Sequence, residues 1–230
     1  MPELNAEQLA ALERFNVSIS DQPMGLMKIE DLLTHAGSSQ IIHLIQTQMG
    51  APTDAVALSI FMRRYGFFIA AHLHMLSKFD LQWTGRLEDI AVEVGEGNLS
   101  FSIPSEPFRT VQEREHDIRF LLEQYGHPVV NYLSKRAPIS KLILWENIWG
   151  YVIWMYSMLF QENSPSAQDD LNFLLHDATW TPQLRRSPFK QFLQNEPILE
   201  AMTNYKRTTC CLYKELPNTE KCPYCPLNKK

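Results

Sequence analysis

All four cysteines of this 230-residue chain lie in its last 21 positions, and the first 209 positions contain none. The four are Cys210, Cys211, Cys222 and Cys225. A cysteine that serves only as a small apolar side chain would also occur elsewhere in the core. A chain of this length buries a substantial core without disulfide bonds, and a bridge between adjacent cysteines would be strained. The crowding of thiols therefore predicts a metal site at the end of a cysteine-free body.

The spacing of these cysteines narrows the kind of metal. An adjacent pair is followed, after ten residues, by a Cys-x-x-Cys pair. Four thiolates suit either a structural zinc ion or an iron–sulfur cluster. Adjacent side chains diverge in extended backbone, which is awkward for one tetrahedral ion. A two-iron cluster is larger and accepts ligands from different directions, so the spacing favours [2Fe–2S] and leaves zinc as the alternative.

The charges are divided unevenly along the chain. Residues 185–230 carry nine Lys/Arg against four Asp/Glu, a net +5, which leaves −10 on the rest of a chain whose net charge is −5. An acidic body does not suit a protein that coats nucleic acid, whereas a basic end suits an anionic partner. The first residues lack the pattern of a secretory signal, and the most apolar stretch is free of charge only over residues 147–160, too few to cross a bilayer. We therefore expect a cytoplasmic protein that binds no nucleic acid.

Hydrophobic periodicity predicts a mainly α fold with a small β part, in the α+β class. Alternation over residues 88–94 and 98–103, with a Gly-Glu-Gly run between them, predicts a β-hairpin. We expect a helical body over residues 1–203 and a cysteine-rich, metal-binding segment over residues 204–230. Helices are expected over residues 5–15, 28–49 with a break at 37–39, 53–78, 108–125, 128–135 after a break at Gly126, 139–160, 167–176, and 188–202 with a kink or split at Pro197.

Two runs of residues near the end of the chain are similar to a known family signature. They are Arg207-Thr208-Thr209-Cys210-Cys211-Leu212-Tyr213-Lys214 and Cys222-Pro223-Tyr224-Cys225-Pro226-Leu227. Together they resemble the C-terminal motif of the FhuF-like ferric siderophore reductases. The sharp resemblance covers about the last 25 residues, and Lys214 stands where many relatives carry a second aromatic residue.

The resemblance implies an oxidoreductase in which the four cysteines ligate one [2Fe–2S] cluster. The cluster would pass one electron to the Fe(III) of a hydroxamate or citrate–hydroxamate siderophore bound by the helical body, and Fe(II) would leave in the cytoplasm. Hard oxygen donors hold Fe(III) tightly and Fe(II) weakly, so one electron is enough. The sequence has no Gly-x-Gly-x-x-Gly at a helix start and no P-loop, so we expect an external electron donor such as a ferredoxin. A weak contact with the inner face of the cell membrane, or with a siderophore importer, stays open.

Six residues besides the cysteines are candidates for contact with the siderophore. They are Trp145, Asn147, Lys206, Arg207, Tyr213 and Lys214. The first two lie on the predicted long helix, where an aromatic wall and an amide would suit a bulky ligand, and core packing is the alternative for its aromatic residues. The basic residues flank the cysteines, where they would offset the charge of a cluster or attract an anionic partner.

Two other functions remain open from the sequence. The chain could be a siderophore-binding or interaction module with a structural zinc tail, which predicts a colourless protein. It could also be an iron–sulfur redox sensor, which predicts a coloured protein without ferric reductase activity.

Overall fold

The computed structural model describes residues 3–22, 25–95 and 98–228, and it has the expected mainly α fold with a small β part. The helices are α1 (Ala6–Arg14), α2 (Ile29–Leu32), α3 (His35–Met49), α4 (Asp54–Phe79), α5 (Arg114–Leu121), α6 (His127–Arg136), α7 (Lys141–Gln161), α8 (Ala167–Leu175), α9 (Pro188–Phe192) and α10 (Ile198–Asn204). The strands are β1 (Val17–Ile19), β2 (Met27–Lys28), β3 (Leu81–Trp83), β4 (Ala91–Gly95), β5 (Asn98–Ile103) and β6 (Phe108–Thr110).

Two long helices, α4 and α7, form the centre of the molecule and confirm the two core helices predicted there. Each begins at a hydroxyl side chain that accepts a backbone N–H: Thr53 caps α4, and Ser140 caps α7. The helices approach closely at Gly66, where a Cβ atom would lie 2.9 Å from the carbonyl oxygen of Asn147. The missing side chain of glycine therefore permits the contact that brings α4 against α7.

By length and composition alone, α4 would be able to cross a membrane. However, 83% of its most apolar window is buried inside the protein. A helix that is apolar all round is typically buried, and this burial is what the core helix of a soluble protein shows.

The small β part consists of two sheets. The larger sheet has the order β1-β5-β4-β2, in which β1 runs parallel to β5 and the other neighbours are antiparallel. β4 and β5 pair from Ala91 opposite Ser102 to Gly95 opposite Asn98, which confirms the predicted hairpin. Its central turn residues, 96–97, lie outside the described residues. β3 and β6 form a separate antiparallel pair.

The first long helical region breaks earlier than its sequence predicts. The break between α2 and α3 lies at residues 33–34, not at residues 37–39. The hydroxyl of Thr34 accepts a hydrogen bond from the N–H of Gly37 at 3.1 Å and so caps α3. Gly37 therefore lies inside this helix. A side chain at this position would collide with the carbonyl group of Asp31, so the position requires glycine.

The single helix predicted over residues 108–125 is wrong. Its first three residues form β6, because they pair with β3 across a long sequence separation that periodicity does not reveal. At its other end, α5 continues through a π-helical turn, Leu122–Gly126, directly into α6. Gly126 therefore does not break the helix; it allows contact with the ring of Trp145, which would lie 2.7 Å from a Cβ atom.

The C-terminal part follows its prediction more closely. Helix α8 has nearly the expected bounds, and Pro197 separates α9 from α10. Beyond α10 the chain is loop apart from one 3₁₀ turn, Tyr213–Glu215. We refer to residues 204–228 as the cysteine segment.

Candidate functional site

The cysteine segment is attached to α7 through a buried carboxylate. Glu146 is fully buried and accepts hydrogen bonds from the backbone N–H groups of Thr208, at 2.6 Å, and Thr209, at 2.7 Å. Both threonine hydroxyls and the phenol of Tyr205 also donate to this carboxylate. Since the two threonines directly precede Cys210, the carboxylate fixes the backbone that leads into the adjacent cysteines.

The next residue of α7 makes a second attachment. The side-chain oxygen of Asn147 accepts a hydrogen bond from Nη2 of Arg207 at 2.8 Å, and its Nδ2 donates to the carbonyl of Ser59 at 3.0 Å. The Ser59 hydroxyl donates in turn to the carbonyl of Cys211 at 2.7 Å. These groups form one buried polar network that joins α4, α7 and the cysteine segment.

The four thiols differ in burial and in the thiols nearest to them. Cys211 and Cys225 are buried, while Cys210 and Cys222 are half-buried. Burial, followed by the nearby thiols of Cys211 and Cys225, raises the pKa of Cys222 to about 11. Burial also raises the pKa of Cys210, again with a contribution from Cys211 and Cys225. A bound cation would therefore be needed to favour the thiolate forms near neutral pH.

The thiols fit a metal centre in donor type. Thiolates are the ligands that zinc and iron–sulfur clusters prefer. Within residues 3–22, 25–95 and 98–228, no group of three or more His, Cys, Asp or Glu side chains is placed to hold a metal ion. The donor type of the thiols, rather than their placement, therefore supports a metal centre.

One cationic side chain on α4 faces the cysteines. Nη1 of Arg63 lies 3.9 Å from Sγ of Cys211 and is placed to donate to it. The same guanidinium lies over the ring of Tyr213, 4.6 Å from its centroid, which holds it in place by a cation–π interaction. Arg63 therefore brings a fixed positive charge next to the proposed ligand Cys211.

A cavity of about 330 Å³ adjoins the thiols. Cys211 and Cys222 form part of its wall, together with Arg63 and Arg207. Its remaining wall is mostly apolar and aromatic, formed by residues that include Phe67, Tyr151, Trp154, Met202 and Tyr224. Small-molecule sites are typically mostly apolar cavities of about 300–1,000 Å³ with a few polar groups, and this cavity fits that description.

The structure separates the six residues predicted to contact a siderophore. Asn147 and Arg207 line the cavity, although their polar groups are also used in the network described above. Trp145 is buried in an aromatic cluster with Trp180 and does not line the cavity, which matches the packing alternative. Three residues do not line the cavity: Lys206 is exposed, Lys214 forms an ion pair with Glu215, and Tyr213 packs under Arg63.

Three important residues of the site were not identified from the sequence. Arg63 and Glu146 each place a charge inside an otherwise apolar helix, and Phe67 lies on the same helix as Arg63. A charged residue within an apolar helical run requires a partner, which is the signal that would have marked the first two.

Comparison with known proteins adds no family to these observations. No protein-family model matches this chain, and neither does any curated protein.

Proposed function

We propose that this protein is a ferric siderophore reductase that carries a [2Fe–2S] cluster on Cys210, Cys211, Cys222 and Cys225. The observation that carries the proposal is the position of two of these thiols in the wall of an apolar cavity, with two arginines beside them. The resemblance of the cysteine motif to the FhuF-like reductases supports the same reading. The substrate class is an Fe(III) complex of a hydroxamate or citrate–hydroxamate siderophore.

A bound [2Fe–2S] cluster would supply one electron at a time, which matches the single electron needed to convert Fe(III) to Fe(II). Fe(II) is held weakly by hard oxygen donors, so reduction releases the metal and leaves the siderophore intact.

The protein's own residues would bind and orient the complex. Phe67, Tyr151 and Trp154 present aromatic surface that excludes water from one side of the ligand. Arg63, whose Nη1 lies 3.9 Å from Sγ of Cys211, adds positive charge beside that thiol, which draws the anionic part of a ferric complex toward it. The cavity thus orders a ligand with its charged end near the electron source.

The electron donor is a separate protein of the ferredoxin kind, because the sequence offers no nucleotide-binding motif of its own. We place the reaction in the cytoplasm, where thiols stay reduced and released Fe(II) is used. Contact with the inner face of the cell membrane is consistent with this placement.

The proposal is tested by purifying the protein without air and measuring iron, acid-labile sulfide and the visible spectrum before and after dithionite. We expect about two irons and two sulfides per chain and a red-brown colour that bleaches on reduction. The reduced protein should then transfer one electron to a ferric hydroxamate, detected with a ferrous-iron trap.

Cys211→Ser removes one of the proposed ligands, and this variant should lose both colour and activity. A colourless protein that contains zinc would overturn the proposal in favour of a structural zinc tail. A coloured protein that reduces no ferric siderophore would indicate a redox sensor instead.

A further inference from the structure

Glu146 has no evident role in the body to which it belongs. It lies in the middle of α7, within an apolar run, and none of its surface is exposed. A buried carboxylate is costly unless its oxygens are fully hydrogen-bonded or paired with a cation. A hydrophobic residue would fill the same position at a lower cost in free energy, so the carboxylate needs a specific explanation.

Among the residues that the structure describes, every donor to this carboxylate comes from the cysteine segment. Oε1 accepts from the N–H and the hydroxyl of Thr208 and from the phenol of Tyr205. Oε2 accepts from the N–H and the hydroxyl of Thr209, and Nη2 of Arg207 lies 3.5 Å away. Two backbone and three hydroxyl donors within five residues of chain thus converge on one side chain.

A carboxylate suits this role better than an amide. All of the surrounding groups are donors, and both carboxylate oxygens accept. In a glutamine, the NH₂ group would face donors on one side, and at least two of the hydrogen bonds would be lost.

We propose that Glu146 is a positioning residue that sets the place of the adjacent thiols Cys210 and Cys211. By holding Thr208 and Thr209, it fixes the backbone that carries these two cysteines. The inference rests on the proposed function in that it takes the four thiols to be the ligands of one centre. It concerns the anchoring of the thiols, whichever metal they bind.

The first test measures thiol alkylation in the full-length, reduced, metal-free protein. The chain has no cysteine outside this segment, so alkylation reports on the segment alone. Glu146→Gln should accelerate alkylation of Cys210 and Cys211 by about tenfold or more, while the helical signal in circular dichroism stays unchanged. Glu115→Gln removes an exposed carboxylate on α5 and should leave alkylation at the wild-type rate.

A second variant tests the proposal independently in case Glu146→Gln does not fold. Thr209→Val removes one hydroxyl donor from the segment side and keeps the shape of the residue, so the body is untouched. It should accelerate alkylation in the same direction. Thr203→Val is its control, because that hydroxyl bonds only within α10, to the carbonyl of Leu199.

The second test loads iron and sulfide, or zinc, and times metal release to a chelator. Partners that orient metal ligands typically affect metal affinity by about 10–100-fold, so release from Glu146→Gln should be at least tenfold faster. Alkylation and release rates within twofold of wild type would overturn the role of Glu146. If wild type takes up no iron and sulfide, the proposed function fails, and the alkylation rates alone still decide the role of Glu146.

Discussion

The helical body and the cysteine segment are held in place by different forces. The body buries large aromatic and aliphatic side chains along α4 and α7, among them Tyr65, Phe68, Trp149 and Tyr156. Among the described residues 205–228, the buried ones are Arg207, Cys211, Leu216 and Cys225. Leu216 is the one ordinary apolar side chain among them, and Tyr205, Leu212 and Tyr213 are only partly buried against the core. The segment therefore gains less from the hydrophobic effect than the body does.

This difference predicts two levels of stability. Ordering a loop costs about 1–2 kcal/mol per residue in backbone entropy, and apolar burial is the usual compensation. The segment relies instead on hydrogen bonds to Glu146 and on the contact of Asn147 with Arg207. Damage to the body should unfold both regions, whereas damage to the anchors should free the segment alone.

The largest effect is expected from Trp149→Ala. The Trp149 side chain is fully buried on α7, with its ring centroid 4.9 Å from that of Phe189. Truncation of a buried tryptophan costs about 3–5 kcal/mol, so the free energy of unfolding in urea should fall by that amount. Trp154 on the same helix is 39% exposed, and Trp154→Ala should cost less than half as much. Equal losses in the two variants would contradict the idea that α7 holds the body by apolar burial.

Arg207→Met should release the cysteine segment and leave the stability of the helical body nearly unchanged. The change leaves Asn147 and a buried carboxylate without their cationic partner, at a cost of about 2–3 kcal/mol. Because the segment is able to detach locally, we expect faster cleavage by chymotrypsin at its tyrosines and little change in the urea midpoint of the body. Lys206→Met removes an exposed neighbouring charge and should leave cleavage unchanged. A cooperative shift of the whole urea transition would show that segment and body unfold as one unit.

The parts of the fold that the sequence predicts well are those governed by local rules. Helices α4 and α7 have hydroxyl caps at Thr53 and Ser140 and long apolar runs, so their bounds follow within a few residues. The short strands do not follow, because β1 and β6 exist only through pairing with distant β5 and β3. In such strands tertiary contacts, rather than local propensity, decide the conformation.

The candidate site divides in the same way. The cysteine spacing predicts one metal site for the four thiols, since ligand spacing is a local pattern, and that site stays a prediction. The positions of Arg63 and Glu146 depend on how α4 and α7 face the segment, which only the packed structure shows. Their one trace in the sequence is a charge inside an apolar helix.

Two buried histidines make the stability of the helical body depend on pH, whereas the cysteine segment contains no histidine. Burial lowers the pKa of His72 on α4 to about 4, and burial does the same for His127 on α6. The folded protein keeps both rings neutral, while the unfolded chain takes up protons below a pKa of about 6.5. The contribution of each histidine to the free energy of unfolding is therefore fully present above pH 6.5 and is lost as the pH falls toward 4. The loss is about 2 kcal/mol per histidine between pH 7 and pH 5.

The measurement that checks this is urea unfolding at pH 7 and pH 5. His72→Phe, which keeps an aromatic ring in a cluster of aromatic side chains, should reduce the loss of stability by about 2 kcal/mol. His43→Gln alters an exposed histidine and should leave the loss unchanged. The cysteine segment contains no histidine, so thiol alkylation corrected for thiolate content should not follow this transition. A pH-dependent release of the segment alone would contradict the assignment of the effect to the body.

The smallest effect is expected where the two regions meet at Arg63. Its guanidinium lies near Sγ of Cys211, so it stabilises added negative charge on a reduced centre more than on an oxidised one. Arg63→Gln should therefore lower the midpoint potential of the proposed [2Fe–2S] centre, by tens of millivolts, because about 59 mV corresponds to a tenfold change for one electron. Arg64→Gln changes the adjacent, similarly half-buried charge and should leave the potential unaffected. Equal shifts in both variants would mean that only the net charge of α4 matters, while a shift confined to Arg63 would show that the body tunes the segment through one contact.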